Sequence, residues 1–504
     1  MRRRAAALSA AWLIGLAVVG AGGGAQGTPP IAAAVPPSRS ELAPRKRAWE
    51  ESVGGRGLAR ALIHARLAGW PTRLAVDPGT LPNDDRAFLE QLARDTWRGL
   101  DALRDRENGL PVDHVRFDAS PLDLSRAEIG DYASVSSVGL YLASLVAAHE
   151  LGYLSHDEAA ARVRQILETL AKLESYRGIY FNFYDTTSLE RTSHFLSFVD
   201  SAWLTAGLMV VRTSFPELAE LATKLITQRN YGFFYDAEAH QMSHGYNVEL
   251  GEHSRYHYAT LYTEARLGSL IAIGKGDVPR DHWYRMWRTF PPDATWQTQA
   301  PHGRRDKEVN GFPVTGGWYE WKDLRYVPSW GGSMFEALMP TLFLDERALA
   351  PRSLGKNGAV HVEIQRRFAA EELGQPFWGM SPAASPDPTG YREYGVPALG
   401  VRGYGDQAVT PHAAALALAY EPAEATALLR RLARDYPVYG EYGLYDSLDP
   451  KTGEVGTVYL SLDQTMLFLA LANHLRDGVI QQRFAADPIA AAALPMLADE
   501  DFFD

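Results

Sequence analysis

The chain contains no cysteine. Disulfides, thiolate metal sites and thiol nucleophiles are thereby excluded. A lipid anchor is excluded as well, because it needs a Cys after the export signal. Positive charge is also in short supply, with 50 Lys and Arg against 61 Asp and Glu and a formal net charge of −11. Such acidity argues against nucleic acid and anionic membranes as partners. It suits a neutral substrate. There is no GxSxG nucleophile elbow, no Gly-rich phosphate loop with its Lys, and no HExxH. The 14 His are scattered. His253 and His257 stand at i, i+4 and would share one helix face, but without further ligands they read as surface histidines. No metal or other cofactor is expected. No internal repeat on the order of 20–50 residues is visible.

Aromatic residues, by contrast, are plentiful. Twelve Trp, 24 Tyr and 19 Phe stand among 504 residues that are 46% hydrophobic and 22% charged. That balance belongs to a globular protein with a large core. Aromatic rings also stack on sugar rings. Arg2, Arg3 and Arg4, the apolar stretch Ala5 to Ala21 and the small residues Gly22 to Ala25 form an export signal. Residues 1–26 are therefore expected to be cleaved, and the protein to be periplasmic or secreted in a bacterium. Loss of the three arginines takes the net charge from −11 to −14. Residues 27–80 read as a leader and N-terminal extension, and 481–504 as a C-terminal tail. Between them, twelve amphipathic helix candidates run from Asp84 to Arg104, by way of Tyr256 to Ile273, through to Leu460 to Arg476. Six inner and six outer helices make an all-α fold, an (α/α)6 barrel over 81–480, with halves at 81–230 and 231–480. Its long aromatic loops gather at one end, and the loop from Phe290 to Val327 is a candidate wall or lid. A monomer is expected, with no membrane contact once the signal is removed.

Several long motifs occur in one order. They are TEARLGSLIAIGKGDVPRDHWYRM (Thr263 to Met286), PSWGGSMFEALMP (Pro328 to Pro340), PFWGMS (Pro376 to Ser381), YGVPALGVRGYGDQAVTPHAAALAL (Tyr394 to Leu418) and YGLYDSLD (Tyr442 to Asp449). The segment resembles the glycoamylase-like domain of bacterial β-1,2-glucanases and cyclic β-1,2-glucan synthases. Upstream, YFNFYDTTSLE (Tyr180 to Glu190) and SFVDSAWLTAGLM (Ser197 to Met209) resemble the part that precedes this domain in the synthases. The resemblance implies a β-glucan substrate, an oligo- or polysaccharide, and a glycosidase.

Glycoside hydrolysis needs two carboxyl groups. Glu264, on a helix among apolar neighbours, is the candidate general acid. Burial raises a carboxyl pKa toward the working pH. Its alternative role is a buried salt bridge, although Arg266 is too near in sequence to share its face. The synthases carry a Glu after Trp-Gly-Ile-Ser that resembles the nucleophile of a retaining mechanism. Here Pro382 follows Trp378-Gly379-Met380-Ser381, so the resemblance implies loss of the covalent route. Asp387 and Glu393 lie nearby. Tyr459-Leu460-Ser461-Leu462-Asp463-Gln464 resembles a Leu-Ala-Ile-Asp-Gln pattern of inverting β-1,2-glucanases, which makes Asp463 the candidate base. A helix N-terminal residue stabilised by the dipole is the alternative. Such pairs stand about 6.5–9.5 Å apart. Substrate-binding candidates are Asp185, Asp200, Tyr262, Trp330, Glu336, Trp378, Tyr394, Arg402 and Tyr445. For Asp200 the alternative is helix capping, and His412 reads as a helix N-terminal residue. Retaining transglycosylation and non-catalytic glucan binding are the competing functions.

Overall fold

A computed structural model describes residues 66–117, 122, 127–290, 294–387, 390–405 and 407–504. The expected signal and most of the leader lie outside the described residues. The chain is rich in helix, and its short strands form small antiparallel sheets of two or three strands, one of which joins His114–Arg116 to Val458–Leu460.

The helices fall into two kinds. Val135–Glu150 is buried from Val135 through Ala148, all the way round its surface. Phe198–Ser214 and Ser461–Leu475 are likewise apolar on most faces, as expected of helices surrounded by protein. His156–Leu170 and Pro422–Asp435 are amphipathic and bury one stripe each, for example Ala159, Val163, Ile166, Leu167 and Leu170. Ser155 and Glu158 close a capping box at the start of His156–Leu170. Ser134 and Ser197 cap the two apolar helices through Ser137 N–H and Asp200 N–H.

Packing runs from one apolar helix to the next. Ala265–Gly274 lies on Phe198–Ser214, which lies on Val135–Glu150. That helix packs against Ser461–Leu475, which meets Pro411–Leu416, which in turn meets Met334–Leu338. Arg266 ties the last helix back to the first by donating to the carbonyls of Glu336 (3.3 Å) and Ala337 (2.6 Å). The closest approach is between Val135–Glu150 and Phe198–Ser214. A Cβ at Gly207 would collide with the Gly139 carbonyl, and one at Gly139 with the Trp203 carbonyl. Two glycines let the backbones touch where any side chain would hold them apart.

Several expected elements are shifted. Tyr256 to Ile273 was expected as one helix, but the helix is Ala265–Gly274. The preceding residues are extended, bridged through Ser243–His257 and Thr260–Trp287. Glu264 therefore stands just ahead of the helix. His253 and His257 share no helix face; His253 Nε2 meets the Phe233 carbonyl at 2.7 Å and His257 Nε2 meets Asp236 at 2.9 Å. Residues 481–504 are packed into the body rather than trailing as a tail. Arg212 forks onto Asp487 (2.7 and 2.8 Å), and buried Arg288 onto Glu500 (2.6 and 2.8 Å).

Replacing Gly207 with Ala should force the two central helices apart. Urea unfolding of G207A should show a loss of about 2 kcal/mol, and unchanged stability would contradict backbone contact at this crossing.

Candidate active site

Glu264 is 3% exposed, and its Oε2 has no hydrogen-bond partner. Burial, then the nearby Glu336 carboxylate, pushes its pKa up to about 8. The guanidinium two residues on does not neutralise it. Arg266 is fully buried and forks onto Glu346 (2.7 and 3.1 Å) while its plane lies over Tyr262, 4.5 Å from the ring centre. Asp200, in the first turn of Phe198–Ser214, adds a smaller negative influence on Glu264 and accepts from Asn182 Nδ2 at 3.1 Å.

Glu336 is the third residue of a short helix capped by Ser333 and completes a capping box with it. Its Oε2 accepts from Gly331 N–H at 2.9 Å and from Ser333 N–H at 3.4 Å. Those backbone donors oppose the upward push of burial on its pKa. The Tyr404 hydroxyl stands within hydrogen-bonding reach of Glu336 and Glu393, with one proton to donate between them, and feels the charge of Glu264 as well. Gly331 makes room for it, because a Cβ there would enter the Tyr404 ring.

The second acidic group centres on Asp463, in the first turn of Ser461–Leu475. It is 1% exposed and stands beside Asp446, another buried carboxyl. Ala384 N–H fixes Asp446 Oδ2 at 2.6 Å. As two carboxylates both groups only accept, and Asp463 Oδ1 and Oδ2 and Asp446 Oδ1 find no donor. Their contact becomes a hydrogen bond once one proton is shared between them. Burial, then the neighbouring carboxyl, pushes Asp463 well above the ordinary carboxylate range. His412 Nδ1 lies 3.3 Å from Asp463. Burial pushes this imidazole down to about 3, so it is neutral and supplies no countercharge. The donor atoms of His412, Asp446 and Asp463 lie within 4.8 Å of one another. We read the trio as a proton-sharing group, because one proton accounts for the carboxyl contact.

A cleft open to solvent is lined by Asp113, Asn182, Asp200, His244, Tyr391 and Leu462, among others. Glu264, Glu336, Asp446 and Asp463 do not line it themselves. Asp200 acts on Glu264, and Asp113 acts on Asp463. A larger cavity, with about 1200 Å³ of empty space, opens near the far end of Ser461–Leu475 and contains neither group. The smaller cleft is the better candidate, because the carboxyls that line it, Asp200 and Asp113, act on Glu264 and Asp463.

Of the binding candidates, the structure brings Asp200 and Glu336 to this region. The others have jobs within the fold. Asp185 Oδ1 accepts from Thr187 N–H (2.8 Å) and Ser188 N–H (2.6 Å), closing a turn. Tyr262 is fully buried between Arg266 and His361. Trp378 belongs to the main core. Tyr394 bonds Ser385 at 3.0 Å within a side cluster. Tyr445 donates to the Leu74 carbonyl at 2.7 Å. Trp330 packs on Trp296 at 5.4 Å, in a cluster whose outer members Trp287, Trp296 and Tyr404 are partly exposed. Arg402 is exposed beside it. Within the expected lid loop, Tyr319 and Tyr326 are core residues that donate to Gln297 and Gln299 at 2.8 Å each. Sequence reasoning missed Asp446, Asp113, Tyr391 and Tyr404. Asp446 stood inside the YGLYDSLD motif, but a single acid among turn residues reads as a turn former.

The family model named Glycoamylase, with the description "Putative glucoamylase", matches residues 256–488. A second model, described as a protein of unknown function, matches residues 91–269. The chain is 25% identical to cyclic β-(1,2)-glucan synthase NdvB of Rhizobium meliloti over 88% of its own length, and it spans 20% of the length of that protein. Among solved structures, it is similar to endo-β-1,2-glucanase of Chitinophaga pinensis in complex with sophorotriose and glucose. The TM-score is 0.65 at 16% identity, over 82% of this chain and 98% of that one. β-1,2-Glucanase of Parabacteroides distasonis is similar as well, with a TM-score of 0.66 at 16% identity over 82% of this chain and 60% of that one. At these identities the structural likeness is one of fold. The family match covers the segment that carries both Glu264 and Asp463.

Proposed function

We propose that this protein is an exported glycoside hydrolase that cleaves β-glucan, most specifically β-1,2-glucan, by a single inverting displacement. Its helices form an (α/α)6 barrel, with the buried apolar helices inside and the amphipathic ones outside. The observation that carries the reading is a pair of buried acidic groups, each acted on by a carboxyl that lines one cleft, Asp200 for Glu264 and Asp113 for Asp463. Glu264 is held neutral near physiological pH; Asp463 and Asp446 share a proton. The β-1,2 linkage is supported by the similarity to β-1,2-glucanases and to a cyclic β-(1,2)-glucan synthase. Export is supported by the basic and apolar character of residues 1–26.

In this mechanism Glu264, uncharged below about pH 8, gives its proton to the glycosidic oxygen as the bond to C1 breaks. A water on the opposite face attacks C1. Its proton passes to Asp463, whose pair with Asp446 then holds both protons. The desolvated setting strengthens each of these interactions in the transition state. Retaining transglycosylation is the second reading, favoured by the similarity to the cyclic glucan synthase.

Linear β-1,2-glucan should yield shorter chains whose first-formed reducing end is the α-anomer, followed by polarimetry or NMR. A β-anomer would establish retention instead. Glu264→Gln should cut kcat by about 10²-fold or more while still binding glucan, and Asp463→Asn should do the same. Loss of binding together with rate would point to a role in folding or affinity.

The pH profile has a defined sign. Glu264 must be protonated to act, so kcat should fall as pH rises through about 8. Glu336→Gln keeps an acceptor for Gly331 N–H but removes the like charge. The alkaline limb should then move to lower pH. A limb that stays in place in E336Q would rule out Glu336 as the source of the shift.

A further inference from the structure

We propose that Glu393 is a substrate-binding residue that seats a vicinal pair of sugar hydroxyls between the acid and the base. This deepens the reading above and rests on it. Glu393 follows the strand Tyr391–Arg392, which pairs with Ala383–Ala384 in the register Ala383↔Arg392 and Ala384↔Tyr391. One step further along the hairpin, Glu393 stands opposite Pro382. Side chains alternate along a strand. Arg392 points outward, half-exposed, and meets Asp387 at 3.3 Å. Tyr391 and Glu393 therefore point to the other side, two residues and roughly 7 Å apart.

That pair of side chains spans the site. Tyr391 lines the cleft, and its hydroxyl lies under the influence of Asp463 and Asp446. The Glu393 carboxylate stands within hydrogen-bonding reach of Tyr404, whose hydroxyl also reaches Glu336 and feels Glu264. Glu264 and Glu336 are nearly closed off, at 3% and 6% exposure, whereas Glu393 is partly exposed and can be touched by substrate.

The chemistry fits an acceptor. A carboxylate offers two oxygens and can take two parallel O–H donors, the geometry of adjacent hydroxyls on a pyranose. Charge-assisted bonds of this kind are the stronger class. Tyr404 hydrogen-bonds the carboxylate, and Glu393 remains partly exposed. The titratable groups facing Glu393 are Glu336, Tyr404 and Tyr391. Burial, then the Glu336 charge, pushes Glu393 up to about 7. The binding form is the ionised one, so affinity should weaken as pH falls through that value.

The test is calorimetric titration of a linear β-1,2-gluco-oligosaccharide into Glu264→Gln protein, with and without Glu393→Gln, across pH. The single variant should bind more tightly as pH rises through about 7. The double variant should bind about tenfold more weakly at high pH, a fold-change of the size lost with a charge-assisted bond, and should show a flat pH profile. In otherwise wild-type protein, Glu393→Gln should raise KM by a similar factor and leave kcat largely intact. Equal affinity and equal pH dependence in the two proteins would overturn the assignment. So would loss of kcat with KM unchanged, which would make Glu393 a reacting group. Should Glu393→Gln fail to fold, the wild-type titration decides, because affinity independent of pH between about 6 and 8 contradicts an ionising acceptor. If wild type neither binds nor cleaves any β-glucan, the hydrolase reading falls first, and that outcome is distinct from each of these.

Discussion

One buried guanidinium organises the site. Arg266 is fully enclosed, and it satisfies its donors with Glu346, the carbonyls of Thr263 (2.9 Å), Glu336 and Ala337, and the face of Tyr262. Breaking such a pair by removing one partner costs about 3–5 kcal/mol, because the other charge is left buried. Its effect on chemistry comes from where it does not point. The positive charge next to Glu264 in sequence is already matched by Glu346. Glu264 is left in an interior where burial and the Glu336 carboxyl raise its pKa by more than Arg266 lowers it. The same residue that joins two helices thus leaves the carboxyl between them short of a counterion.

The two acidic groups reach displaced pKa values by different routes. Glu264 is desolvated, and its closest like charge, Glu336, is itself held by backbone N–H groups at a helix start. Asp463 is desolvated and stands against a second carboxyl, with a neutral imidazole rather than a cation beside it. Two carboxyls in contact cannot both ionise freely, so the pair titrates as a unit. Glu264 therefore offers a proton near neutral pH, while the aspartate pair, holding one proton between two carboxyls, can take a second.

Much of this was legible in the sequence where the reasoning was about cost. A Glu and an Asp embedded among Leu, Ala and Met had to be buried, and burial of an unpaired carboxyl is costly enough to need a reason. The apolar runs of Val135–Glu150 and Ser461–Leu475 likewise marked them as interior helices. Contacts between distant segments were not legible. Asp446 meets Asp463, and Tyr404 meets Glu336 and Glu393, only because separate loops are brought together by folding. Tyr262, Tyr394, Tyr445 and Trp378 carried the same motif signals as true site residues, yet packing makes them core. An aromatic beside a glycine has the same sequence signature whether it faces a sugar or a neighbouring helix. The helix expected from Tyr256 began nine residues late because backbone bridges to Ser243 and Trp287 held the chain extended.

The most direct test of the central claim is the ionisation of Glu264 itself. Carboxyl carbon NMR of wild-type protein, assigned by the signal absent from Glu264→Gln, reports its protonation against pH. The account predicts a half-point at about 8. A half-point near the ordinary value of about 4.3 would mean that Glu264 is already ionised at neutral pH, and would contradict its assignment as the proton donor.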